Sequence, residues 1–263
     1  MLNIINKNLK SEFKSILNIF LIIAFMLQLF GMNIISEQFA EANTISGISG
    51  FVETIILGKF SVVKISQGYA AALISIFILF MGGISIGKLA SERDENTLMR
   101  IYASPIKKME ILFSYLISTG LFVMLVVAFL MIFCKTVMNI EWGSSLGGLF
   151  LLVFSGVFVS VSMGLVSVAL FKTSKSSIGV FAVIIVVMTF FSAPFDPYRT
   201  GRIGISALIQ KITLNHWLHA GFVEIMSGKS YFSIIKNVLF LITVGIFMLT
   251  IAFYFFRKEN FYE

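Results

Sequence analysis

Long stretches without charge dominate the chain and determine the predicted fold. Six runs of 20 residues or more contain no Asp, Glu, Lys, Arg or His. A helix needs about 20 apolar residues to cross the roughly 30 Å of hydrocarbon in a bilayer, and backbone in lipid must satisfy its own hydrogen bonds. The pattern predicts an all-α integral membrane protein with six transmembrane helices, at approximately residues 15–36, 65–87, 111–134, 146–171, 176–195 and 237–256.

Shorter segments outside the spans predict additional helices. In residues 1–14, Leu2, Ile5, Leu9 and Phe13 share one helical face, and the lysines lie away from it, which is typical of an interfacial helix. Residues 212–223 form a charge-free run of 12, too short to cross, and predict a re-entrant or interfacial helix before the last span. Residues 37–64 are compatible with either a small outside helix or a re-entrant piece.

Composition and charge agree with one membrane domain over residues 1–263. The chain is 58% hydrophobic and 13% charged, whereas about a quarter of the residues in a soluble domain are charged. The net charge of +7 is better explained by anionic lipid headgroups than by nucleic acid, because basic and aromatic residues do not interleave. Twelve lysines and arginines fall on the side of the N-terminus and eight on the other. This bias predicts a plasma-membrane protein with both termini cytoplasmic.

Small residues recur at four-residue spacing in two of the predicted spans. Gly83 and Gly87 form such a step in span two, and Gly156, Ser160 and Gly164 form a stripe in span four. Small side chains let neighbouring helices approach closely in a membrane. We therefore interpret these five residues as helix-packing positions.

Groups for intrinsic chemistry are scarce. Ion-driven transporters usually carry ionisable side chains at membrane depth, and the six charge-free runs have none. The glycines before Lys88 resemble a phosphate-binding loop, but Leu89 replaces the required hydroxyl residue and no strand precedes it. His216 and His219 alone are a weak metal signal. We expect no catalytic, cofactor or metal site in this chain, so any energy must come from a partner.

The densest run of charge, the polar block, comprises residues 91–105 and reads SERDENTLMRIYASP. It lies between two predicted spans, on the predicted cytoplasmic face. Ser91 followed by Asp94 is a helix-start pattern, and Pro105 is a stop signal. The pattern predicts a polar helix of about three turns, although a solvated loop is the usual fate of such a run.

The polar block resembles a signature of ABC-2 type transporter permeases, the membrane subunits of one class of ATP-driven exporter. That signature has an acidic-basic-acidic triplet, one variable residue, then Gly-Thr-Leu and, seven residues further on, Pro. This chain departs from it at Asp94 and at Asn96, where glycine is common. The resemblance implies a coupling helix that binds a separate ATPase subunit through Glu92, Arg93, Asp94, Glu95, Asn96, Thr97, Leu98, Arg100, Tyr102 and Pro105.

The resemblance also sets the expected function. It implies a permease, working with a second copy or a related permease, that exports amphipathic or hydrophobic cargo such as a peptide or bacteriocin, a drug or a lipid. ATP and Mg²⁺ would be bound by the ATPase subunit, and this chain would not itself be an enzyme. The alternative is a membrane immunity or scaffold protein that binds a toxic peptide without transporting it. The sequence identifies neither the cargo nor whether the permease pairs with itself or a relative.

Overall fold

The computed structural model describes residues 2–45, 65–95, 108–171, 173–192, 205–229 and 231–258. Within these ranges there is no strand, and the helices are the only regular structure. In chain order they are α1 (Leu2–Lys14), α2 (Ile16–Ile45), α3 (Ile65–Asp94), α4 (Lys108–Val137), α5 (Leu146–Leu170), α6 (Ser174–Ser192), α7 (Ile205–Ile212), α8 (Leu214–Met226) and α9 (Tyr231–Lys258).

Six of these helices are long and apolar enough to cross a membrane: α2, α3, α4, α5, α6 and α9. The predicted all-α membrane fold with six spans is therefore confirmed. The helices of the first two spans extend beyond the charge-free runs: α2 continues to Ile45 and α3 continues to Asp94. No proline interrupts either extension, so helical backbone continues after the apolar run has ended.

The centre of the bundle is α3, which packs against α2, α4, α5, α6 and α8. In its most apolar stretch 89% of the residues are buried, against 11% in that of α2 and 17% in that of α6. The remaining surface of the outer helices is apolar, as Phe190 on α6 and Phe20 on α2 illustrate with 78% and 65% exposure. Exposed apolar side chains of this kind are expected where helices face lipid or another membrane subunit.

Small residues lie where α3 crosses α5 and α6. A side chain at Gly83 would overlap the ring of Phe181, and one at Gly164 would overlap Ile86 on α3. Ser160 donates a hydrogen bond of 2.7 Å to the carbonyl of Leu79, which joins α5 directly to the backbone of α3. At Gly87 an added Cβ would lie 2.5 Å from Ile178 Cγ1.

In the described part of the segment before the last span, residues 205–229, α7 and α8 are separated at Thr213, which is the N-cap of α8. The predicted run 212–223 falls mainly in α8. This helix packs against α9, α3 and α5, and it buries Leu218 and Phe222 completely. Gly156 on α5 lies under it, since a Cβ there would be 2.5 Å from Leu218 Cδ2. The Asn237 amide on α9 donates to the Glu224 carboxylate on α8 at 2.7 Å.

Candidate coupling site

The first residues of the polar block belong to α3 itself. Glu92, Arg93 and Asp94 form its last turn, and Glu95 follows in a turn. The prediction that a separate helix begins at Ser91 is wrong, since Ser91 lies inside α3. Its hydroxyl is directed back to the carbonyl of Gly87 at 3.5 Å, the contact of a serine within a helix rather than at a cap.

The remainder of the proposed coupling segment lies outside the described residues. This applies to Asn96, Thr97, Leu98, Arg100, Tyr102 and Pro105. The contacts that the structure describes are those of residues 92–94 with the surrounding helices and of the Glu95 backbone with Ser91.

Glu92 joins α3 to two other helices. One carboxylate oxygen accepts a hydrogen bond from the Tyr115 hydroxyl on α4. The other lies 3.4 Å from the ammonium group of Lys7 on α1. The Glu92 side chain is only 13% exposed, whereas that of Lys7 is 59% exposed. The contact with Tyr115 is therefore the more protected of the two, because solvent screens exposed ion pairs.

Arg93 binds the C-terminal end of α5. Its guanidinium donates to the carbonyl oxygen of Val168 at 3.1 Å and to that of Phe171. The last carbonyls of a helix have no partner within the helix and carry partial negative charge. A planar guanidinium with several donors is well suited to binding two of them at once.

Asp94 binds the N-terminal end of α6. Its carboxylate oxygen Oδ2 accepts a hydrogen bond of 2.8 Å from the backbone N–H of Ser174, the first residue of that helix. The first N–H groups of a helix are unpaired and favour negative charge. Adjacent residues of opposite charge therefore hold the two ends of the short turn between α5 and α6.

Glu95 is exposed and lies just beyond the last turn of α3. Its backbone N–H continues the helical pattern by donating to the Ser91 carbonyl at 2.9 Å. Residues 92–94 contact α1, α4, α5 and α6, so they define one end of the bundle, which we call the α1 end. Glu95 is the next residue along the chain at this end.

The partners of these residues could not be identified from the sequence. The sequence marks Lys7 only as a flanking charge, and it assigns no role to Tyr115 or Ser174. A usable signal was present for Tyr115, because it is a hydroxyl-bearing aromatic in the first turns of an otherwise apolar span. Nothing in the sequence indicated that the turn before Ser174 would meet Asp94, since that contact depends on how α3 and α6 pack.

The two histidines are not brought together with other metal ligands within the described ranges. His219 Nε2 lies 3.3 Å from the carbonyl oxygen of Gly68 on α3. The His216 ring meets the ring of Trp217 edge to face at a centroid distance of 5.8 Å. These contacts agree with a structural role for both.

The similarity of this chain to a known protein family covers almost its full length. No curated protein matches it significantly. A family model described as "ABC-2 family transporter protein" matches residues 3–254. The match includes the polar block, five of the six apolar helices in full, and α9 as far as Tyr254. The chain is therefore a member of the ABC-2 transporter family, a multi-pass membrane protein of the permease type.

Proposed function

We propose that this chain is the membrane subunit of an ATP-driven exporter and that a separate ATPase subunit binds the polar block. The observation that supports this most directly is the set of contacts made by residues 92–94. A force applied to the end of α3 would reach α5 and α6 through Arg93 and Asp94, and α1 and α4 through Glu92. ATP and Mg²⁺ would act on the partner, and this chain would convert the partner's motion into helix movement.

The test separates partner binding from the internal contacts. Glu95 is exposed and its side chain takes no part in the contacts of residues 92–94, so Glu95→Lys should leave the fold intact. We expect the variant to lose most of the ATPase subunit that co-purifies with the tagged chain from its native membranes. The matched control is Glu141→Lys, which makes the same charge change at an exposed residue after α4. Equal recovery of the ATPase with Glu95→Lys would show that the polar block is not the docking segment.

The orientation that this function needs can be tested in the same chain. Both termini and the polar block are proposed to be cytoplasmic. Cys134 is buried, so we expect the native cysteine to react little with a thiol reagent. A Glu95→Cys variant should react with a membrane-impermeant reagent only in inside-out vesicles. Labelling in intact cells would overturn the orientation and, with it, the cytoplasmic ATPase contact.

A second permease copy, or a related permease, is proposed to complete the translocation path. The outward face of α6 is suited to such a contact because Val183, Val186 and Phe190 are 62%, 61% and 78% exposed and α6 begins at the turn held by Arg93 and Asp94. Val186→Cys should cross-link between copies if the permease pairs with itself. Leu125→Cys on α4, 55% exposed, is the control.

The cargo is proposed to be amphipathic or hydrophobic, such as a peptide, a drug or a lipid, since the helices offer apolar and aromatic surfaces. The alternative is an immunity or scaffold protein that binds a toxic peptide without turnover. ATP hydrolysis by the co-purified partner distinguishes them. Stimulation of hydrolysis by this chain supports export, whereas protection of cells without any ATPase partner supports sequestration.

A further inference from the structure

A partly open cavity of about 360 Å³, with both polar and apolar walls, lies beside the coupling site at the α1 end of the bundle. Its walls include Glu12 of α1, Asn18 of α2, Ser85 and Lys88 of α3, and Ile178 of α6. Ligand-binding cavities in proteins are typically about 300–1,000 Å³. The space is therefore large enough for a small polar group and not merely for a monatomic ion.

Two donors in this cavity have no hydrogen-bond partner among the described residues. One is the ammonium nitrogen of Lys88, which is buried although the residue as a whole is only partly buried, and the other is the hydroxyl of Ser85. Ser85 is only 3% exposed as a residue. Leaving a buried polar group unpaired costs about 1–3 kcal/mol, and more if it is charged. Asn8, Thr119, Gln210 and Asn215 also have unpaired buried atoms, but only Ser85 and Lys88 line this cavity. What favours a ligand here is that both unpaired donors lie beside the same space.

The one carboxylate that lines the cavity, that of Glu12, already accepts a hydrogen bond within the protein. Glu12 is 2% exposed, and its carboxylate accepts a hydrogen bond of 2.6 Å from the Asn18 amide. Glu12 and Lys88 attract each other electrostatically, but no ion pair within 4 Å joins them in the described structure. Lys14 adds a second cation to the lining. Beyond the lining, Glu92 and Lys7 act on Lys88 with opposite signs. Among the lining residues two cations face one carboxylate, so a fitting ligand should supply acceptor oxygens and negative charge.

We infer that this cavity binds the phosphate group of a phospholipid, with Lys88, Lys14 and Ser85 as donors to the phosphate oxygens. Phosphate offers several acceptor oxygens around one centre, which meets more than one donor at a time. Basic pockets between transmembrane helices are known to hold phosphorylated headgroups. Glu12 would accept from a hydroxyl or ammonium group elsewhere on the headgroup.

The surroundings favour a lipid over free phosphate. Leu17, Ile84 and Ile178 line the same cavity, so part of its wall is apolar. On α2, Ile16 and Phe20 continue beside Leu17 with 83% and 65% exposure, and they offer a surface for acyl chains. A bound lipid would connect α1 and α2 to α3 and α6 at the level of the coupling site. This inference does not require that an ATPase binds the chain.

Binding can be measured by native mass spectrometry of the purified full chain in detergent. The probes are a short-chain phosphatidylglycerol, the matching diacylglycerol without phosphate, and inorganic phosphate. We expect phosphatidylglycerol to bind and diacylglycerol to bind far more weakly. Lys88→Gln should lower the affinity for phosphatidylglycerol about 10-fold or more, the range expected for a hydrogen bond to a charged group.

Two further variants keep the test independent of folding. Ser85→Ala removes an unpaired hydroxyl, so it should fold normally and still weaken binding several-fold. Lys10→Gln on α1 makes the same charge change as Lys88→Gln at an exposed residue, and it should bind like the parent. Equal binding of diacylglycerol and phosphatidylglycerol would overturn the phosphate site. Binding of inorganic phosphate that blocks the lipid, with no contribution from acyl chains, would overturn the lipid source, and an equal loss in Lys10→Gln would overturn the location.

Discussion

Two neighbouring parts of α3 differ in whether their buried or charged side chains have hydrogen-bond partners. In residues 92–94 each charged side chain has a partner on another element of the bundle. In residues 85–88 the hydroxyl of Ser85 and the ammonium of Lys88 are buried without one among the described residues. Paired groups fix the geometry of the helices that they join, whereas unpaired donors can still form hydrogen bonds with a ligand. Under the two proposals above, residues 92–94 would transmit motion and residues 85–88 would bind a ligand.

The strongest way to break the paired part is Arg93→Ala. It removes hydrogen bonds from a charged donor to the last carbonyls of α5, and each such bond is worth about 1.5–3 kcal/mol. We expect the free energy of unfolding in detergent to fall by about 3 kcal/mol and ATP-dependent transport to be largely lost. Arg93→Lys should restore only part of the loss, because an ammonium group lacks the planar array of donors. An Arg93→Ala variant as stable as the parent would show that these bonds do not support the turn.

The contact of α3 with α6 is tested at Gly83, where any side chain meets the ring of Phe181. Gly83→Val should lower the free energy of unfolding by about 2 kcal/mol, within the usual range for overpacking. Gly179→Ala is the control, since an added Cβ there meets nothing within 4 Å. Thermal unfolding of both variants in the same detergent checks the expectation. A Gly83→Val variant that unfolds like Gly179→Ala would contradict the tight crossing.

Asp94→Asn gives a smaller effect on the same turn. Asparagine keeps an acceptor for the Ser174 N–H but loses the charge at the N-terminus of α6. Charges at helix termini contribute about 0.3–1 kcal/mol when exposed, so a loss of about 0.5 kcal/mol is expected. The charge component should shrink in high salt. Thermal unfolding at low and high salt would show this, and an effect that salt does not alter would point to a change in hydrogen bonding instead.

The smallest expected effect concerns Glu12 beside the cavity. Burial raises the pKa of this carboxyl above its ordinary value of 4.5, although Lys88 and the Asn18 hydrogen bond oppose the shift. The folded chain therefore binds a proton more readily than the unfolded chain, and stability rises as the pH falls from the raised pKa towards 4.5. Glu12→Gln should lack this component. Unfolding of the parent and the variant between neutral pH and about pH 5 checks it, and identical pH profiles would refute it.

The six spans could be predicted from the sequence because a charge-free run of about 20 residues has few other uses. The helix ends could not. The run that gives span two ends at Gly87, yet α3 continues to Asp94, since polar residues are compatible with helix when no proline intervenes. For the same reason Ser91 is a misleading start signal. Its residue type fits a cap, but its position inside a continuing helix decides what its hydroxyl binds.

The partners of the polar residues were beyond prediction for a different reason. Periodicity assigns α1 an apolar face, and part of it does pack on the bundle, since the Phe13 ring meets that of Phe122 on α4. Leu2 on the same face is nevertheless 81% exposed, and the residues that α1 buries are Asn8 and Glu12. A pattern along one helix shows which side is apolar, but not which side faces its neighbours when lipid is the solvent. The four-residue spacing of small side chains can be recognised in the sequence, because such residues act through the distance between backbones. Which residue each of them would contact depends on the packing of the helices.

The placement of Arg93 and Asp94 side by side has a consequence for how the chain can vary. Each residue added to a helix rotates all later residues by about 100° and shifts them by about 1.5 Å. One residue inserted or deleted between Lys88 and Arg93 would swing the positive group away from the carbonyls of α5 and the negative group away from the first amide of α6. Substitutions in this stretch change one contact at a time, whereas a change of length removes both. The number of residues between Lys88 and Arg93 is thus more strictly constrained than the identity of the residues that lie between them.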